Sequence, residues 1–209
     1  MSGTKICILD YSIGNYKSIQ NAIKILGYDS IVSNVKSDIE SADKLILPGV
    51  GSFKEALEFI NKHNLDQYIK NFFDKKKPIL GICLGMQILF ESGEEGGANT
   101  EGLGILKGHI TKIPNKNHFI YPNIGWRKIN LKKNIKNSFL TGITDRDLFY
   151  FVHSYFANTD NNKTEIIYSN IDEFEFPSII IFKNLYATQF HPEKSAKSGL
   201  KLLENFLNL

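Results

Sequence analysis

Gly81-Ile82-Cys83-Leu84-Gly85 lies at the junction of two different patterns. Before it, residues 78–82 form a short apolar run, as in a strand buried on both faces of a parallel sheet. After it, residues 84–91 read as a helix. A Gly-x-Cys-x-Gly element between strand and helix is a nucleophile elbow with cysteine in place of serine. So tight a turn brings the residues two before and two after the nucleophile into contact, and side chains there would clash. The thiol then sits at a helix N-terminus, where free N–H groups and the helix dipole favour thiolate. A lone cysteine is more often a buried structural residue. Cys7, which has no such setting, is read that way.

The rest of the first 91 residues alternates in the same sense. Strands are expected over 5–9, 29–32 and 44–47 as well as 78–82. Helices are expected over 18–26, 53–59 and 65–73, with Ile19, Ala22, Ile23 and Leu26 at helical spacing and Gly27 as C-cap. Such alternation argues a parallel sheet with helices on both faces. Residues 93–104, rich in Gly and Glu, read as a loop. Further strands are expected over 107–113, 126–131, 147–152, 165–169, 177–182 and 185–190. An amphipathic helix over 195–207 closes the chain, with Leu202, Leu203, Phe206 and Leu207 on one stripe. There is no low-complexity linker and no internal repeat. The 209 residues are therefore expected to form a single α/β domain, 1–209, with an added antiparallel portion.

Composition removes several classes of function. Of 25 basic residues only two, Arg127 and Arg146, are arginine, and the net charge is +3. Nucleic-acid sites lean on the arginine fork, so no nucleic-acid partner is expected. No apolar run approaches the roughly 20 residues of a spanning helix, so no membrane segment is expected. The N-terminus reaches Asp10 before a long apolar stretch develops, so no signal peptide is expected. Two cysteines make no disulfide framework, and reduced thiols in the cytoplasm are the simpler reading. The sequon Asn162-Lys163-Thr164 then carries no meaning. No Gly-Lys-Ser/Thr follows Pro48-Gly49-Val50-Gly51-Ser52, which argues against a P-loop. Cys83, His153, His191 and Glu193 lack zinc spacing, and neither a metal nor another cofactor is expected.

A cysteine nucleophile needs a base, and the base needs an orienter. Gln189-Phe190-His191-Pro192-Glu193 offers both. Pro192 holds His191 extended, and alternation along an extended chain would point His191 and Glu193 the same way. The carboxylate could then fix the imidazole tautomer and stabilise its protonated form. Acyl chemistry also needs an oxyanion hole. The glycine-rich segment 48–52 closes a strand expected beside that of Cys83, and the N–H of Leu84 is the expected second donor.

Gly81-Ile82-Cys83-Leu84-Gly85-Met86-Gln87 and Gln189 to Ser195 resemble the motifs of class I (triad) glutamine amidotransferases. Residues 10–15, 48–53 and 150–155, with Gly125-Trp126, narrow the resemblance to the glutaminase subunits of imidazole glycerol phosphate synthases. Anthranilate and GMP synthetase glutaminases typically carry Pro-Gly-Gly-Pro in the oxyanion segment, and histidine where this chain has Met86. The resemblance implies that Cys83 attacks the side-chain amide of glutamine, that His191 protonates departing ammonia and then activates water, and that Glu193 orients His191. It places Gln87, Glu95, Gly51 and the backbone of His153, Ser154 and Tyr155 around the substrate. It further implies that segment 49–51 reorients before Val50 donates to the oxyanion. Its partner would be a (β/α)8 cyclase in a heterodimer, receiving ammonia to make imidazole glycerol phosphate and an aminoimidazole carboxamide nucleotide.

The chain departs from that family at two segments. Where the family usually has His-Met-Gly-Trp-Asn, this sequence has Asn123-Ile124-Gly125-Trp126-Arg127, and Ser12 replaces an early glycine. These changes leave open a paralogous glutaminase that feeds a sugar-modifying amidotransferase in surface-polysaccharide synthesis. A cysteine peptidase or γ-glutamyl hydrolase with the same triad, and a non-enzymatic scaffold for a barrel partner, are further alternatives.

Overall fold

In the computed structural model, the described residues are 3–12, 14–97, 99–114, 122–131, 136–159 and 163–209. Ile13, Ala98, the sequon's Asn162 and the first two residues lie outside them. In chain order the first half runs β1 (Ile6–Leu9), α1 (Tyr16–Ile25), β2 (Ser30–Ser33), α2 (Lys36–Ser41), β3 (Lys44–Leu47), α3 (Phe53–Lys62), α4 (Leu65–Asp74), β4 (Ile79–Ile82) and α5 (Leu84–Gln87). The second half runs β5 (Ser92–Gly93), β6 (Thr100–Glu101), β7 (His109–Lys112), β8 (Asn123–Lys128), β9 (Leu148–His153), β10 (Tyr155–Asn158), β11 (Glu165–Ile171), β12 (Phe174–Phe182), β13 (Leu185–Thr188) and α6 (Ala196–Leu207).

Among the described residues the main sheet has seven strands in the order β11-β12-β13-β4-β3-β1-β2. From β13 to β2 every pairing is parallel, and β11 and β12 extend the sheet antiparallel. The two-residue period of the strands sorts the core into two layers. Cys7, Leu9, Leu45 and Leu47 face the layer with Ile39, Phe53, Ile60 and Ile69 of α2–α4. Ile6, Ile8, Ile46, Leu80 and Ile82 face the layer with Ile19 and Ile23 of α1 and Leu203 and Phe206 of α6. This is the α/β architecture expected, with helices on both faces. Cys7 is core, its thiol pushed up to about 12 by burial and by the Asp38 charge. Gly27, at φ +85°, ends the first helix where C-cap chemistry placed it. Ser52 caps α3 by accepting from the Glu55 N–H.

Local pattern misjudged several segments. The helix after Cys83 stops at Gln87 rather than running to 91. The carbonyls of Ile88, Leu89 and Phe90 accept instead from Leu103, Gly104, Ile105 and Leu106, a capture across the chain that helical periodicity does not register. Residues 93–104 are not all loop, because β5 and β6 pair there and β5 also lies parallel to β7. The expected strand 126–131 begins earlier, at Asn123, and pairs antiparallel with β9 as a two-stranded ribbon. α2 and β10 were not expected. α2 buries only Ile39, and β10 follows β9 after Ser154 alone, switching its partner from β8 to β7.

Candidate active site

The elbow takes the form its glycines require. Cys83 sits between β4 and α5 at φ +50°, ψ −107°, a conformation of high backbone strain for a side-chain-bearing residue. Its N–H donates to the Thr188 carbonyl at 2.7 Å, which ties the turn to the end of β13. A Cβ on Gly81 would come within 2.7 Å of the Gly85 carbonyl, and one on Gly85 would overlap the Leu47 carbonyl. The helix that follows is one turn long, so its dipole contributes little at Cys83, contrary to the sequence expectation. The charge environment of the sulfur comes from side chains instead.

His191 enters from beyond β13 and is almost fully buried. Its N–H donates to the Tyr150 carbonyl, and its own carbonyl accepts from the Ser195 hydroxyl at 2.6 Å. His191 Nδ1 lies 2.8 Å from Glu193 Oε1, both side chains being 1% exposed. The pair meets by a different route from the alternation expected. Pro192–Lys194 is a 3₁₀ turn capped by an extended His191, and the turn folds the carboxylate back onto the ring. His191 Nε2 is buried without a nitrogen or oxygen partner, and the group that acts on this side of the ring is the Cys83 side chain. Burial disfavours charge on this ring. The negative charge of the Cys83 sulfur, together with Glu193, outweighs it and raises His191 to about 10.

Because His191 is raised above its ordinary 6.5, its charge stabilises the fold fully below about pH 6.5 and less as pH climbs through about 10. An NMR titration should therefore show an imidazolium throughout neutrality. Its midpoint should fall in Cys83→Ala, where the largest favourable charge is gone. An unchanged midpoint would disprove that coupling.

A cavity of about 270 Å³ opens between these groups. It is lined by Cys83, Leu84 and His191, by Val50 and Gly51, whose segment forms its rim against the elbow, and by Gln87 and Glu95. His153, Ser154 and Tyr155 also line its wall. The structure thus brings together every side chain expected at the site. Gly49 explains the rim: a Cβ there would overlap the Ile82 carbonyl and the Leu84 N–H, so only glycine lets segment 48–51 lie against the elbow. Gly51 has φ +113°, and the Leu84 N–H is the first of its helix, a donor without an intrahelical acceptor.

Several wall groups are already committed. Gln87 spends both amide hydrogens, on the Tyr155 carbonyl and on Gln189 Oε1, each at 3.0 Å, leaving Oε1 as its free capacity. The Tyr155 carbonyl also meets His153 Nδ1 at 2.9 Å, so both its lone pairs are used. Glu95 Oε2 accepts from the Phe53 N–H at 2.8 Å, and burial raises its carboxyl despite that bond. His153 is lowered to about 4 by burial, aided by the Arg127 and His191 charges and opposed by the Tyr155 bond.

One neighbour of the nucleophile was overlooked. Gln189, fully buried, directs Nε2 at the Cys83 sulfur at 3.6 Å. Its place two residues before His191 in the same motif was the available signal. A larger groove of about 800 Å³ at the opposite end of the sheet, beside Gly27 and Tyr28, is lined by Asp29 and Asp38 but by no cysteine or histidine among the described residues. Among the described residues no three His, Cys, Asp or Glu side chains form a metal cluster, and no helix is long and apolar enough to cross a membrane.

A cysteine on a strand-to-helix elbow, backed by a buried His–Glu pair at the end of a mostly parallel sheet, matches known proteins. Residues 7–209 match the family model described as glutamine amidotransferase class-I, and the chain belongs to that family. A solved chain of similar fold is that of "Structure of PurLQS from Thermotoga maritima", at TM-score 0.76 and 18% identity, covering 99% of this chain and 98% of that one. Two relatives named imidazole glycerol phosphate synthase subunit HisH stand much nearer in sequence. That of Caldanaerobacter subterraneus subsp. tengcongensis is 44% identical over 203 residues, covering 96% of each chain. That of Methanocaldococcus jannaschii is 44% identical over 209 residues, covering 98% of this chain and 99% of the relative.

Proposed function

We propose that residues 1–209 act as one glutamine amidotransferase domain, the glutaminase subunit of an imidazole glycerol phosphate synthase in histidine biosynthesis. The buried Cys83–His191–Glu193 constellation beside a cavity of about 270 Å³ carries this reading. The names of relatives at 44% identity supply the pathway.

In this mechanism the Cys83 sulfur attacks the side-chain amide carbon of glutamine, with His191 protonated. The N–H groups of Leu84 and, once segment 49–51 has turned, Val50 hold the oxyanion. Collapse breaks the C–N bond, and His191 gives its proton to the leaving nitrogen, releasing ammonia and a γ-glutamyl thioester. Water then attacks the thioester while His191 takes its proton, and glutamate leaves with the thiolate restored. Glu193 keeps the imidazole oriented and its charge compensated through both steps. Glu95, the Gln87 Oε1 and the backbone at Gly51, His153 and Ser154 hold the α-amino and α-carboxylate ends of glutamine.

Ammonia released into water would be protonated and lost, so a synthase should cover the site. We assign that role to a (β/α)8 cyclase. The supporting feature is an apolar strip on the outer face of the β8–β9 ribbon: Ile124 is 55% exposed, Trp126 49% and Leu148 44%. The strip adjoins Val152 at the cavity mouth, and apolar exposure of this kind marks interaction surfaces. The deciding measurement is glutamate release by the chain alone and with its organism's cyclase and that enzyme's nucleotide substrate. Stimulation of about tenfold or more, equivalent to about 1.4 kcal/mol of barrier, is expected. No stimulation, with the Cys83 thiol intact, would point to another ammonia acceptor.

A further inference from the structure

Asn123 and Arg127, two of the three replacements in the family's usual segment, lie on the inward face of β8 and are wired to the cavity wall. Arg127 Nε donates to Asn123 Oδ1 at 2.6 Å. Asn123 Nδ2 meets His153 Nε2 at 2.7 Å, and His153 Nδ1 meets the Tyr155 carbonyl at 2.9 Å. From Tyr155 the chain continues through Gln87 and Gln189 to the Cys83 sulfur.

Donor and acceptor chemistry gives this chain one direction. A guanidinium only donates, so the Asn123 oxygen must face Arg127 and its NH₂ must face His153. His153 Nε2 must therefore present a lone pair, which leaves the proton on Nδ1, where it meets a carbonyl that only accepts. That carbonyl also receives Gln87, whose second hydrogen goes to Gln189 Oε1, so the Gln189 NH₂ is turned toward the sulfur. A protonated or Nε2–H His153 would set two donors against each other at Asn123.

We propose that Arg127 is a positioning residue of the glutaminase site: through Asn123 it holds His153 as the neutral Nδ1–H tautomer and so fixes the Tyr155 carbonyl that braces Gln87 and, through Gln189, Cys83. The proposal rests on the glutaminase reading for its kinetic consequence and not for its structural one. Among the described residues, Arg127 from β8 and His191 from beyond β13 are the charged groups that act on His153, and Cys83 and Glu95 line the same cavity. The remaining walls at the ring include Phe151 and Phe176, with centroids 5.8 and 5.0 Å away. Asp172 is the acidic neighbour of Arg127 itself.

The test uses the full chain with ¹⁵N-labelled histidine. In the unaltered protein His153 should show the neutral Nδ1–H pattern at neutral pH. Arg127→Met frees the Asn123 amide to flip its oxygen toward His153, so Nε2 can gain a proton while Nδ1 keeps the one it gives to the Tyr155 carbonyl, and the imidazolium should appear. With the synthase assembled, KM for glutamine should rise about tenfold while kcat changes by less than about threefold, the signature of a loosened ground-state pocket. Arg127→Lys, which restores a donor and the charge, should recover the Nδ1–H pattern. Asn123→Asp, which pairs with Arg127 and only accepts, should drive a proton onto His153 Nε2 and serves if Arg127→Met does not fold. The proposal is overturned if Arg127→Met keeps both tautomer and KM, or if Asn123→Asp leaves the His153 nitrogen shifts where they were. The nitrogen readout needs no turnover, so a chain inactive on glutamine would sink the glutaminase reading without touching the network.

Discussion

Replacing Cys83 with alanine will abolish glutamate release, by about 10⁴-fold or more, because no other group can form the thioester and members of a triad act as a unit. The fold will survive. Alanine tolerates the strained φ +50° turn no worse than cysteine, and the sulfur's contacts to Gln189 Nε2, at 3.6 Å, and to the Val152 carbonyl, at 3.9 Å, are long. Steady-state assay of the assembled synthase with glutamine, beside a thermal melt, tests both halves. Substantial glutamine turnover in a folded Cys83→Ala chain would remove the nucleophile from the mechanism. Synthesis from added ammonia should persist, since that route bypasses Cys83.

Gly85→Ala will destabilise the fold far more than one added methyl group usually does. The added Cβ would overlap the Leu47 carbonyl and lie 2.8 Å from the Pro48 carbonyl, backbone atoms at the end of a strand locked between β1 and β4. Nothing at the far end of a flexible side chain can yield. A loss of about 4 kcal/mol is expected, which for a chain of this size lowers the melting midpoint by roughly 8–16 °C. Activity should fall in the surviving folded fraction too, because the same contact sets the distance between Cys83 and the Gly49–Gly51 rim. Denaturant unfolding is the direct check. A variant as stable as the parent would mean that the rim does not pack on the elbow as described.

The parts of this protein legible in its sequence are those dictated by local chemistry. Two glycines around Cys83, an apolar run before it and a proline after His191 each restrict the backbone within a few residues, and the structure obeys them. Strands buried on both faces announced themselves because continuous apolar runs have little other use. The class of fold and the resemblance to glutamine amidotransferases followed from such segments.

What tertiary structure decided depends on partners far apart in the chain. The helix after Cys83 ends early because residues 103–106 take its carbonyls. β10 parts from β9 because β7 offers it a ladder. His191 and Glu193 meet through a 3₁₀ turn rather than through extended alternation. The Arg127–Asn123–His153 relay joins positions 30 residues apart, and Gln189 reaches Cys83 across 106. Sequence by itself determined which residues could carry the chemistry, because residue type and immediate neighbours fix backbone freedom and nucleophilicity. Only the fold decided their protonation and orientation, because burial and the facing donor or acceptor set these, and neither is a property of neighbours in sequence.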